Sequence, residues 1–313
     1  MLWSAGEGPA MLNPRQIEAF RTVIVTGGVT AAARALNITQ PAVTRLVQDL
    51  QYALGLTLFE RRGNRLVPTN EALSLYREVE RQFVGLDRIH SAARSLRDGL
   101  SGSLRIAALP AFSIGFLPQL TGEYLKEKPG LELALYGSIS SQVAEWVASG
   151  FCDLGFAQLP LDFPSVEVEL LPAVAAVAVM PAGHRLAARD SLVPEDFVGE
   201  AFVSLEQTTQ LRYRIDAIFA TARIARETRI ETPLSMIACS LVAAGAGVSI
   251  VDPFTAQEYR GRGIELRPFE PQIRFHIGVV WPAGRGRSAL ALGFADKIRA
   301  AVTRFAESGS LQG

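Results

Sequence analysis

Two short helical segments joined by a tight turn occupy residues 29–50 and constrain the fold of this chain more than any other feature. Thr30 is placed to cap the first segment, in which four alanines leave a small face for close helix packing. Thr39 is placed to cap the second, with Pro41 in the first turn, where a missing N–H costs nothing. A pair of this kind is typical of a helix-turn-helix, a motif that reads DNA.

The second helix of the pair has one apolar and one polar face. Its apolar residues recur at helical spacing and predict a buried stripe made of Val43, Leu46, Val47, Leu50 and Leu54. The opposite face carries hydrogen-bonding groups and the cation Arg45, which suit the base edges and phosphates of a major groove. Together with the hairpin arginines described next, the residues expected to contact DNA are Thr30, Thr39, Gln40, Pro41, Ala42, Thr44, Arg45, Gln48, Arg61, Arg62 and Arg65.

The flanks of the pair complete a winged module. Upstream, Asn13 and Pro14 predict the start of another amphipathic helix. Downstream, two short extended runs around Gly63 and Asn64 predict a hairpin, or wing. Residues 11–69 contain seven arginines against three acidic residues, a formal balance of +4, although the whole chain is neutral. This uneven charge favours binding to phosphates.

Four motifs in order and at the right spacing resemble the amino-terminal signature of LysR-type transcriptional regulators. They are RQIEAF at 15–20, TAAA at 30–33, TQPAVTR at 39–45 and LFERR at 58–62. The resemblance continues through essentially the whole chain after Met11. The alternative is a small helical packing module with a solvated charge run.

Length and composition predict a multidomain protein of the reducing cytoplasm. A chain of 313 residues exceeds one compact domain and suggests two or three. Cys152 and Cys239 are too few for a disulfide framework, and the three histidines are scattered singly. No secretion signal or bilayer-spanning segment is evident, residues 1–10 are expected to be disordered, and Met11 is a possible true start.

Residues 70–98 are predicted to form one long linker helix. Its apolar residues follow alternating four- and three-residue steps, with a local slip near the end, and are Ala72, Tyr76, Val79, Phe83, Leu86, Ile89, Ala93 and Leu96. This spacing suits a helix that packs against a second copy. A helix packed on its own domain is the alternative.

From residue 99 to 313, apolar strands alternate with helices, which predicts a parallel, helix-covered sheet and an α/β class. We expect lobe I at about 103–176 and 273–306 and lobe II at about 177–272. Two lobes crossed twice by the chain resemble the type 2 periplasmic-binding-protein fold, which LysR-type regulators use to sense small molecules.

An effector site is expected beyond the carboxyl ends of the strands, where ligands bind in open parallel sheets. The candidates are Pro110, Ser113, Ser140, Ser141, Gln158, Glu206, Thr208 and Glu231. Ser140 and Ser141 begin a predicted helix whose free N–H groups favour a carboxylate. The resemblance places Ser140 where family members often hold the effector through a hydroxyl. Alternatively, the hydroxyls are ordinary helix caps, and Glu206 and Gln158 are exposed loop residues.

Catalysis and metal binding have little support, and no cofactor is expected. Residues 245–250 superficially resemble a dinucleotide-binding loop, but they follow a helix and precede a strand, the reverse of the required order. Neither a nucleophile elbow nor a histidine pair at metal-ligand spacing occurs. His184 is read as a turn residue.

The resemblance therefore implies a transcriptional regulator whose effector changes the angle between the lobes and the bending of promoter DNA. We expect a homo-oligomer that is a dimer of dimers and does not bind membranes. Residues 85–89, 109–120 and 251–256 resemble the subgroup that regulates opine catabolism and lysine biosynthesis, which implies an amino-acid-like effector. The alternatives are a solute-binding protein for transport, disfavoured by the absent signal and the basic module, and an enzyme built on the effector domain.

Overall fold

The computed structural model of the chain describes residues 12–62, 65–76, 78–79 and 102–307. For Arg62 and Arg65 the description covers the backbone alone. The predicted disorder of residues 1–10, the hairpin turn at Gly63 and Asn64, and most of the predicted linker helix lie outside the described residues. The chain divides into two compact units, residues 1–90 and 91–313, which we call the DNA-binding unit and the effector unit.

Three helices begin the DNA-binding unit: α1 (Pro14–Thr26), α2 (Val29–Ala35) and α3 (Gln40–Leu54). Two predicted caps are confirmed, since Asn13 Oδ1 accepts from the Arg15 N–H at 3.0 Å and Thr39 Oγ1 accepts from the Ala42 N–H at 3.4 Å. The cap predicted at Thr30 is wrong. Helix α2 already begins at Val29, and its N-cap is Gly28, which has no side chain to accept a hydrogen bond.

A hairpin and the start of a fourth helix complete this unit. Strands β1 (Phe59–Arg62) and β2 (Arg65–Pro68) pair antiparallel, with Phe59 opposite Pro68. Gln51 Oε1 on α3 accepts from the backbone N–H groups of Leu58 and Phe59 at 2.7 and 3.1 Å, which fixes the hairpin to the end of α3. Residues 70–76 and 78–79 are helical and form α4, capped by Thr69 Oγ1.

The first turns of α4 pack on their own unit. Ala72 and Val79 are buried with Phe20, Leu50 and Leu58. For these two residues the prediction that they face a second copy is wrong, because the small helical module needs their apolar surface to close its core. The remaining stripe residues, from 83 to 96, lie outside the described residues.

The effector unit contains the remaining elements in two lobes. In chain order they are β3 (Ser103–Ala108), a π-helical turn (Phe112–Phe116), α5 (Leu117–Glu127), β4 (Glu132–Gly137), α6 (Ser140–Ser149), β5 (Leu154–Gln158), β6 (Val166–Leu170), β7 (Val174–Ala175), β8 (Val177–Pro181), two 3₁₀ turns (Arg185–Ala188 and Pro194–Phe197), β9 (Ala201–Leu205), α7 (Gln210–Ala222), β10 (Glu227–Thr232), α8 (Ser235–Ala243), β11 (Ser249–Val251), α9 (Pro253–Tyr259), β12 (Ile264–Pro268), β13 (Arg274–Phe275), β14 (Ile277–Pro282) and α10 (Ala289–Glu307).

Lobe I is built on a five-stranded sheet in the order β4-β3-β5-β14-β6. Strands β4, β3 and β5 are parallel, as predicted, because helices α5 and α6 connect them. Strand β14 runs antiparallel to both β5 and β6, which corrects the expectation of a wholly parallel sheet. The chain reaches β14 only after it has returned from lobe II.

Lobe II combines two small sheets. Strands β9 and β10 are parallel, whereas β11, β8 and β12 form an antiparallel sheet in that order. The short strands β7 and β13 pair antiparallel and carry the chain out of lobe I and back. The carboxyl ends of β3, β5 and β9 therefore come to the cleft between the lobes, where a ligand site is expected.

Helix α9 is shared by the cores of both lobes. Phe254 is buried in the core of lobe I, and its ring centroid lies 4.7 Å from that of Phe112 and 4.7 Å from that of Phe305. Two residues later, Ala256 is buried in the core of lobe II. The short helix thus joins the cores of the two lobes. Among the described residues, no helix combines the length and the apolar character required to cross a lipid bilayer.

Candidate DNA-reading face and effector cavity

Helix α3 presents the polar face that the sequence predicted. Val43, Val47 and Leu50 are buried against α1 and α2 or the end of the module. On the other side Gln40, Pro41, Arg45 and Gln48 are exposed, and Ala42 and Thr44 are half-buried. The Thr44 hydroxyl donates to the Gln40 carbonyl at 3.0 Å, so its oxygen keeps acceptor capacity for a further partner.

The remaining candidate DNA contacts lie on neighbouring elements. Thr30 in α2 and Thr39 at the start of α3 are exposed, as is Arg61 in β1. The side chains of Arg62 and Arg65 lie outside the description. The structure therefore leaves Thr30, Thr39 and Arg61 accessible together with the exposed residues of α3.

A cavity of about 440 Å³ lies between lobes I and II of the effector unit. This volume is in the range of small-molecule sites. Six of the eight candidate effector residues line it, and these are Pro110, Ser140, Ser141, Gln158, Glu206 and Thr208. Both lobes thus contribute predicted residues to the same cavity.

Three helices begin at the cavity wall. The first residues of α6, α7 and α8, namely Ser140, Gln210 and Ser235, all line it. The free N–H groups and the dipole at a helix start favour a negative charge. Lobe I supplies one such start and lobe II supplies two, so the cavity can hold carboxylates from both sides.

Ser140 is not an ordinary helix cap. The N-cap of α6 is Ile139, and Ser140 Oγ accepts a hydrogen bond from the Gln158 N–H of β5 at 3.0 Å. This bond joins the start of α6 to the end of β5 and places the hydroxyl at the cavity. By contrast, Thr209 is a true cap, because its Oγ1 accepts from the Arg212 N–H at 3.3 Å.

Acidic and apolar groups complete the wall. Glu206, Asp252 and Glu258 line the cavity, and Glu258 Oε1 accepts from Nε2 of Gln119, a residue of α5, at 3.4 Å. Burial raises the pKa of the Asp252 carboxyl, and hydrogen bonds from Thr255 and Ser235 partly oppose this shift. Ile114 and Ile139 are 50% and 66% exposed, and their side chains give the cavity an apolar rim.

Two of the candidate effector residues do not line the cavity. Ser113 Oγ is buried without a hydrogen-bond partner among the described residues, and it packs so closely on β4 that a Cβ added at Gly137 would lie 2.7 Å from it. Glu231 instead accepts from Arg212 Nη1 at 3.2 Å, beside the Arg212 and Asp216 pair. Ser113 thus contacts β4 of lobe I and Glu231 contacts α7 of lobe II, and neither lines the cavity.

Sequence reasoning missed the contribution of α9 to this site. Asp252, Thr255, Glu258 and Tyr259 all line the cavity, and none was a candidate. A signal was available, since Asp252 followed by Pro253 is a helix-start signature and Asp252 Oδ1 does accept from the Thr255 N–H at 2.8 Å. Among the described residues, no group of three metal-ligating side chains could hold a metal ion.

Comparison with known proteins identifies the family. The bacterial regulatory helix-turn-helix domain of the lysR family matches residues 14–73, and the LysR substrate binding domain matches residues 97–303. The chain belongs to the LysR family of transcriptional regulators. These two matches cover the helix-turn-helix and both lobes described above.

Several regulators of this family are similar to the chain over most of their length. The regulatory protein NocR of Agrobacterium fabrum is 39% identical over 272 residues, which is 87% of this chain and 91% of NocR. The octopine catabolism/uptake operon regulatory protein OccR of Rhizobium meliloti is 44% identical over 260 residues, 82% of this chain and 85% of OccR. The transcriptional activator LysR of Escherichia coli is 37% identical over 299 residues, 96% of each chain.

Solved structures show the same LysR-family fold. The LysR-family regulator CbnR superimposes with a TM-score of 0.74 at 20% identity, covering 92% of this chain and 98% of CbnR. CbnR has also been solved in complex with its target DNA. The predicted α/β fold, with a winged helix-turn-helix followed by a two-lobed effector domain, is confirmed. The relatives are transcriptional regulators, so the enzyme alternative is not supported.

Proposed function

We propose that this LysR-family regulator reads promoter DNA with the exposed face of α3 and its wing, under the control of an amino-acid-like effector bound between lobes I and II. The observation that carries the proposal is the cavity at which three helix starts, one from lobe I and two from lobe II, lie beside three carboxylates of residues 206–258. Such a site suits a ligand with both negative and positive groups.

The DNA contacts are proposed from the accessibility and chemistry of α3. Its exposed face combines Gln40 and Gln48, which can bind adenine edges, with Arg45, which can bind guanine or a phosphate. The wing arginines Arg61, Arg62 and Arg65 would contact the DNA backbone and so set the position of the protein on DNA rather than its sequence preference.

Binding of the purified protein to its own promoter region, measured at several salt concentrations, tests the proposed DNA-binding role. Affinity should fall steeply with salt, and loss of selectivity over scrambled DNA at moderate salt would contradict the proposal.

The effector is proposed to be an amino acid or an amino-acid derivative. A carboxylate would bind at the start of α6, beside Ser140 and Ser141, and Glu206 or Glu258 would bind an amine. The apolar rim made by Ile114 and Ile139 suits an aliphatic segment between the charged ends. The name of OccR supports this class, since octopine is an amino-acid derivative. A thermal-shift screen of amino acids and their conjugates tests it, because a ligand that binds the folded state raises the unfolding temperature.

Control of DNA binding is proposed to act through the angle between the lobes. An effector that contacts α6 of lobe I and α7 or α8 of lobe II can favour one angle only if it binds that state more tightly.

We further propose that the protein is a dimer of dimers, and that its domains span residues 11–69, 70–98 and 99–313. Light scattering on the full chain should give the mass of a tetramer. The location of the protein in the cytoplasm stays a prediction.

Ser140→Ala is expected to weaken effector binding about 10-fold, because one hydrogen-bonding group at the start of α6 is lost. The measurement is the rise in unfolding temperature produced by a ligand from the screen, compared with that of the unsubstituted protein. The substitution also removes the hydrogen bond from the Gln158 N–H, which can lower the unfolding temperature without ligand. The ligand-induced rise is therefore compared, rather than the unfolding temperature itself.

Ser149→Ala provides the matched control. Ser149 is the last residue of the same helix, and its hydroxyl donates to the Trp146 carbonyl at 3.1 Å, away from the cavity. The ligand-induced increment should be unchanged in this variant. Equal increments in both variants would remove Ser140 from the effector site.

A further inference from the structure

Tyr52 is a tyrosine on α3 whose side chain projects into solvent. The residue is 92% exposed, and within the described part of the chain its side chain has no hydrogen-bond or ring partner. Its neighbour Gln51 points inward and anchors the hairpin through Leu58 and Phe59. The end of α3 is therefore held firmly while the phenol projects into solvent.

Tyr52 lies on the same stripe of α3 as the proposed DNA contacts. Pro41, Arg45, Gln48 and Tyr52 follow one another at steps of four, three and four residues, and such steps repeat on one helix face. The buried stripe of Val43, Val47 and Leu50 occupies the opposite side. The exposed face of α3 thus continues without interruption from its first turn to Tyr52.

The position along the helix selects the part of DNA that Tyr52 can reach. Seven residues separate it from Arg45, which corresponds to about 10 Å along the helix axis. The major groove is about 12 Å wide, so a helix whose first turns reach base edges brings its far end to the flanking backbone. A tyrosine hydroxyl is a common donor to phosphate oxygens.

We propose that the Tyr52 hydroxyl donates a hydrogen bond to a backbone phosphate beside the major groove that α3 enters. This inference rests on the proposed function of the α3 face. The contact adds affinity and fixes the position of α3, and it carries no sequence information of its own, because phosphates are the same at every base pair.

Tyr52→Phe tests the contact because it removes only the hydroxyl. Binding of the full chain to a labelled promoter fragment is measured by fluorescence anisotropy at several salt concentrations. We expect affinity at least about 10-fold weaker, as for one lost hydrogen bond to a charged group. The loss should be equal for promoter and scrambled DNA. The salt dependence should be unchanged, since a neutral donor releases no counterion.

Two further variants make the result specific. Tyr213→Phe makes the same substitution at a 72% exposed tyrosine of the effector unit and should leave DNA affinity unchanged. Arg45→Ala removes a cation from the stripe and should both weaken binding and lower the salt slope by about one.

The outcomes separate this inference from the function on which it rests. Unchanged binding by Tyr52→Phe, with weakened binding by Arg45→Ala, would overturn the Tyr52 contact and leave the α3 face in place. Unchanged binding by both variants would overturn the α3 face as well. A loss confined to promoter DNA would show that Tyr52 reads a base, which also overturns the phosphate contact.

Discussion

Phe254→Ala is expected to lower the free energy of unfolding of the effector unit by about 3–5 kcal/mol, the usual cost of removing a buried aromatic ring. The ring is 2% exposed, and its centroid lies within 5 Å of those of Phe112, Phe116 and Phe305. Alanine leaves a cavity that these rigid neighbours cannot fill. Chemical denaturation of the full chain, followed by tryptophan fluorescence, measures the loss.

The same substitution is expected to abolish the response to effector. Phe254 holds α9 in the core of lobe I, and the cavity residues Asp252 and Glu258 lie at either end of that helix. Without the Phe254 ring, α9 is no longer packed in lobe I, and these carboxylates lose their fixed positions. Part of the binding free energy must then be spent on ordering them, which weakens ligand binding. The ligand-induced rise in unfolding temperature should then disappear.

Tyr213→Ala is the matched control for Phe254→Ala. Tyr213 is also an aromatic residue of the effector unit but is 72% exposed, so its truncation should change the free energy of unfolding by no more than about 0.5 kcal/mol. A similar small change for Phe254→Ala would show that α9 does not join the two lobes in solution.

Thr44→Ala combined with Arg45→Ala is expected to weaken promoter binding by about 100-fold or more. Each residue lies on the polar side of α3, and a good contact to a base edge is worth about 1–3 kcal/mol. Neither side chain belongs to the buried stripe of Val43, Val47 and Leu50, so circular dichroism and the oligomeric mass should be retained. Anisotropy titration with promoter and scrambled DNA measures the effect.

Arg262→Ala controls for the loss of one positive charge. Arg262 is an exposed cation of the effector unit, so its removal lowers net charge without altering α3. Promoter affinity should change by less than a factor of about two, as for an exposed charge outside the contact surface. Full promoter binding by the double variant would show that another surface of the DNA-binding unit reads DNA.

The helices of the DNA-binding unit were predictable because their signals are local. Asn13 and Thr39 are caps whose partners lie two or three residues away. The stripe of α3 follows from helical spacing alone. Thr30 shows the limit of such reasoning, since a hydroxyl near a helix start is a cap only at one position, and α2 begins two residues earlier than a cap at Thr30 requires.

The candidate effector site was predictable only in outline. Strand ends in an α/β sheet point to one edge, which placed Ser140, Gln158 and Glu206 near the cleft. The local pattern could not show that Ser113 packs against Gly137 or that Glu231 pairs with Arg212, because each depends on a contact distant in sequence. Asp252 and Glu258 were missed because the helix-start signature at Asp252 and Pro253 is local, whereas the packing of α9 at the cavity depends on contacts distant in sequence.

The sequence by itself therefore determined the helix-turn-helix, the alternation of strands and helices, and the LysR family, because capping, periodicity and motif spacing are short-range properties. Only the tertiary structure decided that β14 returns antiparallel to lobe I, that α9 joins the two cores, and which side chains share the cavity. These features arise when residues far apart in the chain compete to bury apolar surface and to pair buried polar groups. Its outcome depends on contacts between distant residues, which a local stretch of sequence does not specify.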